Sequence, residues 1–313
     1  MKPRIFIGSS SEGIAIANQV KDFLEKMKKI DCIVWNNIGV FPYNKSAFES
    51  LLISRLLYDF VILVATKDDF VRSRGLKTNA PRDNVIFEFG LFLGALGESR
   101  TMLLQEEGTK LPSDFNGITL PRFSIQKKNI DKTLEGISSY INDILKLNEF
   151  QILPSTSLAV GYFNNFLKQA TSSLIENSES LKIKDSFHPC SKIKVIIPNE
   201  LSDNIAEKAK VFYNKHGIEI SEIQNSKRPF KVQFAYDNSD PKNLTIVDMP
   251  TTINTIRHCC TLLLKKSGVG TSGNQKMVEE KEISNFKSTL ENLIEQNDYC
   301  KKVVTILFES DYL

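Results

Sequence analysis

The chain has 313 residues, a length typical of two domains of about 150 residues each. Its hydrophobic content of 41% and charged content of 25% are ordinary for a globular protein, and a net charge of +3 does not by itself indicate nucleic-acid binding. The five cysteines lack the CxxC spacing of zinc sites, and no apolar run approaches the roughly 18 residues of a membrane span. Because the N-terminus also shows no secretory pattern, we expect a cytoplasmic protein that holds no metal and contacts neither nucleic acid nor membrane.

In the first half, apolar runs of strand length alternate with segments whose apolar residues recur at helical spacing. The predicted strands are RIFIGSS (4–10), DCIVW (31–35), FVILVAT (60–66) and RTMLLQ (100–105), and the predicted helices are 13–27, 48–59 and 81–97. This alternation predicts a doubly wound parallel sheet of flavodoxin-like type. In such sheets, ligands bind beyond the carboxyl ends of the strands.

The third predicted helix, PRDNVIFEFGLFLGALG (81–97), carries a carboxylate among apolar side chains. Glu88 is flanked by Phe87 and Phe89, and burying an ionised carboxylate is costly unless a partner or a ligand compensates for it. Since the helix begins at the ligand edge of the sheet, Glu88 is a candidate functional residue. A solvated surface glutamate is the more ordinary interpretation of the residue type alone.

A serine-rich turn after the first strand is a second candidate. Ser9 and Ser10 precede the first helix, where exposed backbone N–H groups can bind a phosphate, although serines at this place also cap helices. The polar segment 66–84 is long for a loop in a compact domain, and such loops are usually functional or disordered.

In the second half, which follows a predicted linker at 146–158, the alternation is looser. The predicted elements are helices at 157–176, 204–217, 253–266 and 279–297, strands at 192–201 and 301–309, and a hairpin at 228–252. This mixture predicts an α+β domain over 159–313. The adjacent His258, Cys259 and Cys260 fit helix packing better than metal binding.

Several motifs of the first half, in order, resemble the TIR-like nucleotide-binding domains of bacterial anti-phage systems. They are FIGSSSEG, VW, DFVILVATKDD, PRDNVIFEFGLFLGALG and LPSDFNGI, and they lie within roughly residues 1–125. The resemblance implies a TIR-like domain over 1–145 that cleaves NAD⁺, with Glu88 as the catalytic residue. It also implies nucleotide contacts by Trp35 or Phe41, in or next to the loop after the second strand, while Asn84 stands where many TIR enzymes have a tryptophan.

Motifs of the second half, LAVGYFNNFL, KIKVIIPNEL and VDMPTT, resemble the cyclic-dinucleotide-binding domain of bacterial STING. The resemblance implies stacking of a base on an aromatic side chain, a lid hairpin over the ligand, and an aspartate that accepts from guanine N1–H and N2–H₂. The implied ligand-binding residues are Tyr162, Phe166, Arg228, Phe230, Asp248, Thr251 and Thr252. By pattern alone, DMPTT also fits a turn that caps the next helix.

The order of the two halves resembles bacterial TIR–STING fusions, which implies a CBASS-type anti-phage effector. Such a protein would bind a cyclic dinucleotide, which we expect to be cyclic di-GMP, and its homodimers would assemble into larger oligomers or filaments. It would then hydrolyse NAD⁺ to nicotinamide and ADP-ribose, or to a cyclised form, with NAD⁺ as substrate and no cofactor. Two alternatives are a nucleoside deoxyribosyltransferase-like enzyme, which also uses a glutamate at an N-glycosidic bond, and a non-enzymatic TIR assembly module.

Overall fold

The fold is described from a computed structural model of the chain. The structure describes residues 2–26, 30–37, 39–41, 46–73, 75–115, 117–146, 153–177, 179–183, 186–202, 204–223, 230–236, 243–264 and 273–312. The chain divides into two compact units, Met1–Glu149 and Phe150–Leu313. Among the described helices, none combines the length and the apolar character that crossing a lipid bilayer requires.

The first unit is built around a parallel sheet. Its elements are β1 (Arg4–Ser9), α1 (Ile14–Glu25), β2 (Asp31–Val34), α2 (Ala47–Leu57), β3 (Phe60–Ala65), β4 (Asp69–Ser73), β5 (Leu76–Ala80), α3 (Asp83–Leu96), β6 (Thr101–Glu106), β7 (Arg122–Phe123) and α4 (Ile130–Lys146). Five strands form the sheet in the order β2-β1-β3-β6-β7, and every pair is parallel. The predicted doubly wound sheet is confirmed.

Helices cover both faces of this sheet, which explains why all six residues of β3 are buried. On one face, α1 and α4 pack against a core that includes Ile5, Ile7 and Ile62. On the other face, the Phe6 ring lies 5.4 Å from the Phe92 ring of α3. The carboxyl ends of β1, β3 and β6 therefore share one edge, from which α1 and α3 start.

The polar segment 66–84, predicted as a loop, contains an antiparallel hairpin of β4 and β5, in which Asp69 pairs with Ala80. The apolar side chains of β4 are exposed: Phe70 is 69% exposed, Val71 is also exposed, and the Lys77 Nζ lies 4.2 Å from the Phe70 ring centroid. A strand whose apolar side chains do not form a buried face lacks the apolar alternation that predicts strands, so the sequence pattern did not reveal the hairpin.

The second unit is an α+β domain, as predicted. Its elements are α5 (Pro154–Tyr162), α6 (Lys168–Glu176), β8 (Ser180–Ile183), β9 (Ser186–Ile197), α7 (Ile205–Lys215), β10 (Glu219–Ile223), β11 (Phe230–Tyr236), β12 (Leu244–Asp248), α8 (Asn254–Leu264), α9 (Gly273–Glu295), α10 (Cys300–Val303) and β13 (Val304–Phe308). A π-helical turn, Phe163–Leu167, joins α5 to α6. The sheet runs β10-β11-β12-β9-β13, with β8 paired to β9, and it mixes antiparallel and parallel pairs.

Helix α5 begins at Pro154, inside the segment predicted as a linker, because proline suits the first turn of a helix as well as a loop. The carboxylate of Glu282, which is 3% exposed, accepts a hydrogen bond of 3.0 Å from the backbone N of Ser155 at this helix start. Burial raises the pKa of Glu282, and the hydrogen bond from Ser155 opposes that rise. The negative charge is thus placed where the helix dipole favours it.

The Cys260 side chain packs inside the second unit, where it is buried in α8. In the described part of the chain, no group of three or more histidine, cysteine or carboxylate side chains could hold a metal ion.

Candidate functional site

Glu88 lies on α3, with its carboxylate against the carboxyl end of β1. A Cβ atom placed on Gly8 would be 3.2 Å from Glu88 Oε2 and 2.5 Å from Leu63 Cδ1. Any larger residue at position 8 would therefore force the side chains of Leu63 and Glu88 to shift. The close approach places the carboxylate at the edge of the sheet where ligands bind in this class of fold.

The environment of Glu88 disfavours its ionised form. The side chain is half-buried, and burial raises its pKa from 4.5 to about 7. Within the described residues, no hydrogen-bond donor or cation contacts the carboxylate to oppose this rise. A strongly raised carboxyl pKa at a ligand edge is typical of functional sites.

Three of the residues predicted for the nucleotide site lie together beside β1. The indole Nε1 of Trp35 donates a hydrogen bond of 2.9 Å to Ser9 Oγ, and the ring of Trp35 meets that of Phe41 edge-on at 6.5 Å. The Ser9 hydroxyl in turn donates to the carbonyl of Ser10 at 2.8 Å. The loop after β2 is thereby joined to the turn after β1.

The hydroxyl of Ser10 makes its hydrogen bonds to other groups of the protein. Its Oγ accepts from the backbone N of Gly13 at 3.0 Å and lies 3.4 Å from the hydroxyl of Thr66. Thr66 donates to Asp68 Oδ1 at 2.6 Å, so the hydroxyls of Ser10 and Thr66 tie the turn after β1 to the end of β3. The Ser10 hydroxyl is therefore engaged within the turn before α1, whose N-cap residue is Gly13.

Asn84 is exposed in the first turn of α3, and its neighbour Arg82 makes contacts that the sequence analysis missed. The Nη2 of Arg82 donates to Glu12 Oε1 at 2.8 Å, and its Nε lies 3.8 Å from Asp69 Oδ2. The guanidinium therefore joins the start of α3 to the turn before α1 and to β4. Exposed ion pairs are individually weak, about 0.2–1 kcal/mol, so the contact orients these segments more than it stabilises them.

In the second unit, two of the residues predicted to bind the ligand, Tyr162 and Asp248, contact each other. The buried Tyr162 hydroxyl donates a hydrogen bond of 2.7 Å to Asp248 Oδ2, at the end of β12. The rings of Tyr162 and Phe166 stack at 5.3 Å with an interplanar angle of 27°. Residues that lie 86 positions apart in the sequence thus form one polar and aromatic cluster.

Burial raises the pKa of Asp248 to about 6, and the hydrogen bond from Tyr162 opposes the rise. Burial, followed by the charge of Asp248, raises the pKa of the Tyr162 phenol well above its ordinary value, so Tyr162 remains a donor. Tyr162 is the one hydrogen-bond donor to this carboxylate among the described residues. Because a carboxylate has about four acceptor positions, Asp248 keeps capacity for a ligand.

The remaining predicted ligand residues lie around this cluster or outside the described part. Thr251 and Thr252 are exposed in a 3-10 turn, Thr251–Ile253, against which α5 packs. Phe230 is the first residue of β11, but its side chain is not among the described parts of the structure. Arg228 lies outside the described residues.

Both halves of the chain match known protein families. Residues 4–125 match the TIR domain of the CAP12/Pycsar effector proteins, and residues 154–291 match the prokaryotic STING domain. Together with the fold, these matches define the chain as a TIR–STING fusion protein, and the predicted combination is confirmed. It belongs to the family of CD-NTase-associated protein 12, because it is 40% identical to the Flavobacterium daejeonense member over 99% of this chain and 100% of that one.

Further relatives agree with this assignment. The member from Lachnospiraceae bacterium is 34% identical over 98% of this chain and 99% of its own. The Pycsar effector protein PaPycTIR of Pseudomonas aeruginosa is 39% identical, over 45% of each chain.

Among solved structures, the chain is similar to a bacterial STING in complex with c-di-GMP, at 34% identity over 51% of this chain and 98% of that one, with a TM-score of 0.47. It is also similar to a metazoan TIR-STING receptor from C. gigas in complex with 2′,3′-cGAMP, at 16% identity over 97% and 89% of the chains, with a TM-score of 0.30. Because both TM-scores are below 0.5, the family assignment rests on the sequence relatives.

Proposed function

We propose that the chain is a bacterial anti-phage effector that binds cyclic di-GMP through its STING domain and in response hydrolyses NAD⁺ through its TIR domain. The observation that carries the enzymatic part is the half-buried Glu88 carboxylate, which has a raised pKa and no partner among the described residues. The observation that supports the ligand is the Tyr162–Asp248 hydrogen bond beside a stacked aromatic pair.

Cleavage of NAD⁺ requires one negatively charged side chain and no general acid. When the bond between nicotinamide and ribose breaks, its electron pair neutralises the cationic ring, so the leaving group needs no proton. Positive charge develops on the ribose, and the ionised Glu88 stabilises this oxocarbenium-like transition state. Water then adds to the ribose carbon and releases a proton, which yields ADP-ribose. The cost of the uncompensated Glu88 charge is offset when the cationic substrate enters.

Guanine recognition follows from the remaining acceptor capacity of Asp248. Guanine N1–H and N2–H₂ can both donate to one carboxylate, whereas adenine has neither donor on that edge. Stacking on an aromatic ring such as that of Phe166 contributes about 1–3 kcal/mol per base without distinguishing between bases. Asp248 therefore supplies the specificity for cyclic di-GMP and the aromatic side chains supply general affinity.

Activation requires a link between ligand binding and the TIR domains. A homodimer with two-fold symmetry suits a two-fold symmetric ligand. If the ligand binds the conformation that stacks into larger oligomers more tightly, it shifts the population towards them. In those oligomers, the loop of a neighbouring TIR domain that contains Phe41 would complete the site around Glu88.

The test is incubation of the purified full chain with NAD⁺ alone, with cyclic di-GMP or with cyclic di-AMP, followed by chromatography of the products. Nicotinamide and ADP-ribose should form with cyclic di-GMP, and Glu88→Gln should abolish their formation. Glu98→Gln, at an exposed glutamate just after α3, is the matched control and should retain activity.

Near-normal turnover by Glu88→Gln would contradict the catalytic assignment. Constant NAD⁺ in fully assembled wild-type protein would favour the non-enzymatic assembly module. Cleavage of free nucleosides without an activator would favour the deoxyribosyltransferase-like alternative.

A further inference from the structure

A cavity of about 470 Å³ opens in the first unit where the chain leaves β6 and reaches β7. Its lining includes two cations, Lys110 and Arg122, and none of the described lining residues is acidic. The lining also contains Ser113 and apolar side chains such as Phe115. A concave site of this size with convergent cations and an apolar wall suits an anionic ligand that carries a flat ring.

A hydrogen bond to the side chain of Gln105 holds the guanidinium of Arg122 in position. Gln105 is 8% exposed, and its Nε2 donates a hydrogen bond of 2.7 Å to the carbonyl of Thr109. This contact orients the amide so that Gln105 Oε1 accepts from Arg122 Nε at 3.1 Å. Because Nε is thereby used, the two terminal nitrogens of Arg122 stay available for a bidentate anion such as a phosphate.

Thr109 and Phe115 complete the cavity. The Thr109 hydroxyl is buried and has no hydrogen-bond partner among the described residues, a rare condition that a ligand oxygen would relieve. The ring of Phe115 lies 5.4 Å from that of Phe89, the residue after Glu88. The cavity is therefore in packing contact with α3, the helix that carries Glu88.

The register of the sheet gives the separation between this cavity and Glu88. Gly8, which contacts the Glu88 carboxylate, pairs with Leu63, and Leu63 pairs with Leu103. Gln105 lies two residues further along β6, towards the carboxyl edge. These backbone positions are thus two strand spacings, about 10 Å, apart across the sheet and two residues, about 7 Å, apart along it. One extended dinucleotide is long enough to span that separation.

We propose that this cavity binds the adenosine diphosphate end of the NAD⁺ whose nicotinamide ribose lies at Glu88. Arg122 and Lys110 contact the pyrophosphate, and Phe115 faces the adenine. The identity of the dinucleotide rests on the proposed function, whereas the preference for a nucleoside phosphate rests on the cavity itself.

The first experiment is calorimetric titration of the full chain with ADP, in the absence of a cyclic dinucleotide. Arg122→Gln should weaken ADP binding about 10-fold, the loss expected for a charge-assisted hydrogen bond, and Lys110→Gln should also weaken it. Lys127→Gln is the matched control, because it removes an equal charge from an exposed lysine that pairs with Glu107 and does not line the cavity. Equal ADP affinity in wild type and in the Arg122 and Lys110 variants would overturn the inference, as would undetectable binding to the wild type.

The second experiment asks whether ADP and NAD⁺ share the cavity. In the same calorimeter, NAD⁺ should displace ADP, and in a turnover assay ADP should inhibit competitively, with an inhibition constant that Arg122→Gln raises about 10-fold. Simultaneous binding of ADP and NAD⁺ would show a separate nucleotide site and overturn the inference. Because displacement needs no turnover, it tests the inference even if the chain does not cleave NAD⁺. Absence of cleavage would contradict the proposed function and leave the inference about the cavity unaffected.

Discussion

The Glu88 carboxylate is half-buried beside Gly8, and the described residues supply no charge or hydrogen bond to compensate it. Such an arrangement lowers stability, and a protein retains it where function needs the charge. Stability and activity should therefore respond in opposite directions when this one charge is removed.

We expect Glu88→Gln to stabilise the protein in a pH-dependent manner. Because burial raises the pKa from 4.5 to about 7, the folded state holds more protons than the unfolded state between these values. The free energy of unfolding of the wild type therefore falls as pH rises through this window, by at most on the order of 3 kcal/mol. Denaturant unfolding should show the variant to be the more stable at pH 8 and similar to wild type at pH 4.

Glu98→Gln again serves as the control for that comparison and should show no such pH-dependent difference. A Glu88→Gln variant less stable than wild type at pH 8 would mean that an uncharacterised contact compensates the carboxylate.

Asp248 allows a second prediction about a single charge. Asp248→Asn keeps an acceptor for the Tyr162 hydroxyl but replaces one of the two acceptor oxygens by a donor, so it should weaken cyclic di-GMP far more than cyclic di-AMP. Asp248→Ala should do the same, with an added loss of stability of about 1–3 kcal/mol because the Tyr162 hydroxyl is left unpaired. Calorimetry with both ligands measures the difference, and equal losses would show that Asp248 serves only the fold.

Among the elements, the π-helical turn Phe163–Leu167 is unusual because it holds one residue more per turn than an α-helix. It lies directly after Tyr162 and contains Phe166, and the rings of these two residues stack. Such turns are frequent at functional sites, and here the turn sets the position of Phe166 relative to Tyr162, whose hydroxyl reaches Asp248 at the end of β12.

Deletion of the exposed Asn165 should restore a regular helix and turn the aromatic side chain of residue 166 by about 100°. We expect cyclic di-GMP affinity to fall at least about 10-fold, the loss of one stacked base, while circular dichroism shows unchanged helix content. Asn165→Ala, which keeps the chain length, should bind like wild type. Unchanged affinity in the deletion variant would show that the π turn does not orient the ligand-binding rings.

For the whole molecule, the proposed function predicts that assembly and activity rise together. A site shared between subunits exists only when the subunits meet, and tethering through the STING domains raises the local concentration of TIR domains. Light scattering and NAD⁺ consumption should therefore increase in parallel across a cyclic di-GMP titration of the full chain. Phe41→Asp should suppress both increases without preventing ligand binding, and full activity in strictly dimeric protein would refute the assembly mechanism.

The sequence by itself determined the class of each half of this protein. Continuous apolar runs that are rich in β-branched residues, such as 60–65, predict strands that are covered on both faces, and helical spacing around Glu88 predicts the helix that carries it. These properties are local, because the spacing of apolar residues within one segment predicts both its secondary structure and which of its faces is buried. The order of the motifs then identified a TIR–STING fusion, which the family comparisons confirm.

The tertiary structure decided which side chains meet. The bond from Tyr162 to Asp248 and the bond from Trp35 to Ser9 join residues far apart in the chain, and no local pattern records them. The approach of Glu88 to Gly8 likewise depends on the register of β1 against β3 and on the packing of α3. Side-chain contacts of this kind follow from sheet register and helix packing together, and these are properties of the whole fold rather than of any segment of the sequence.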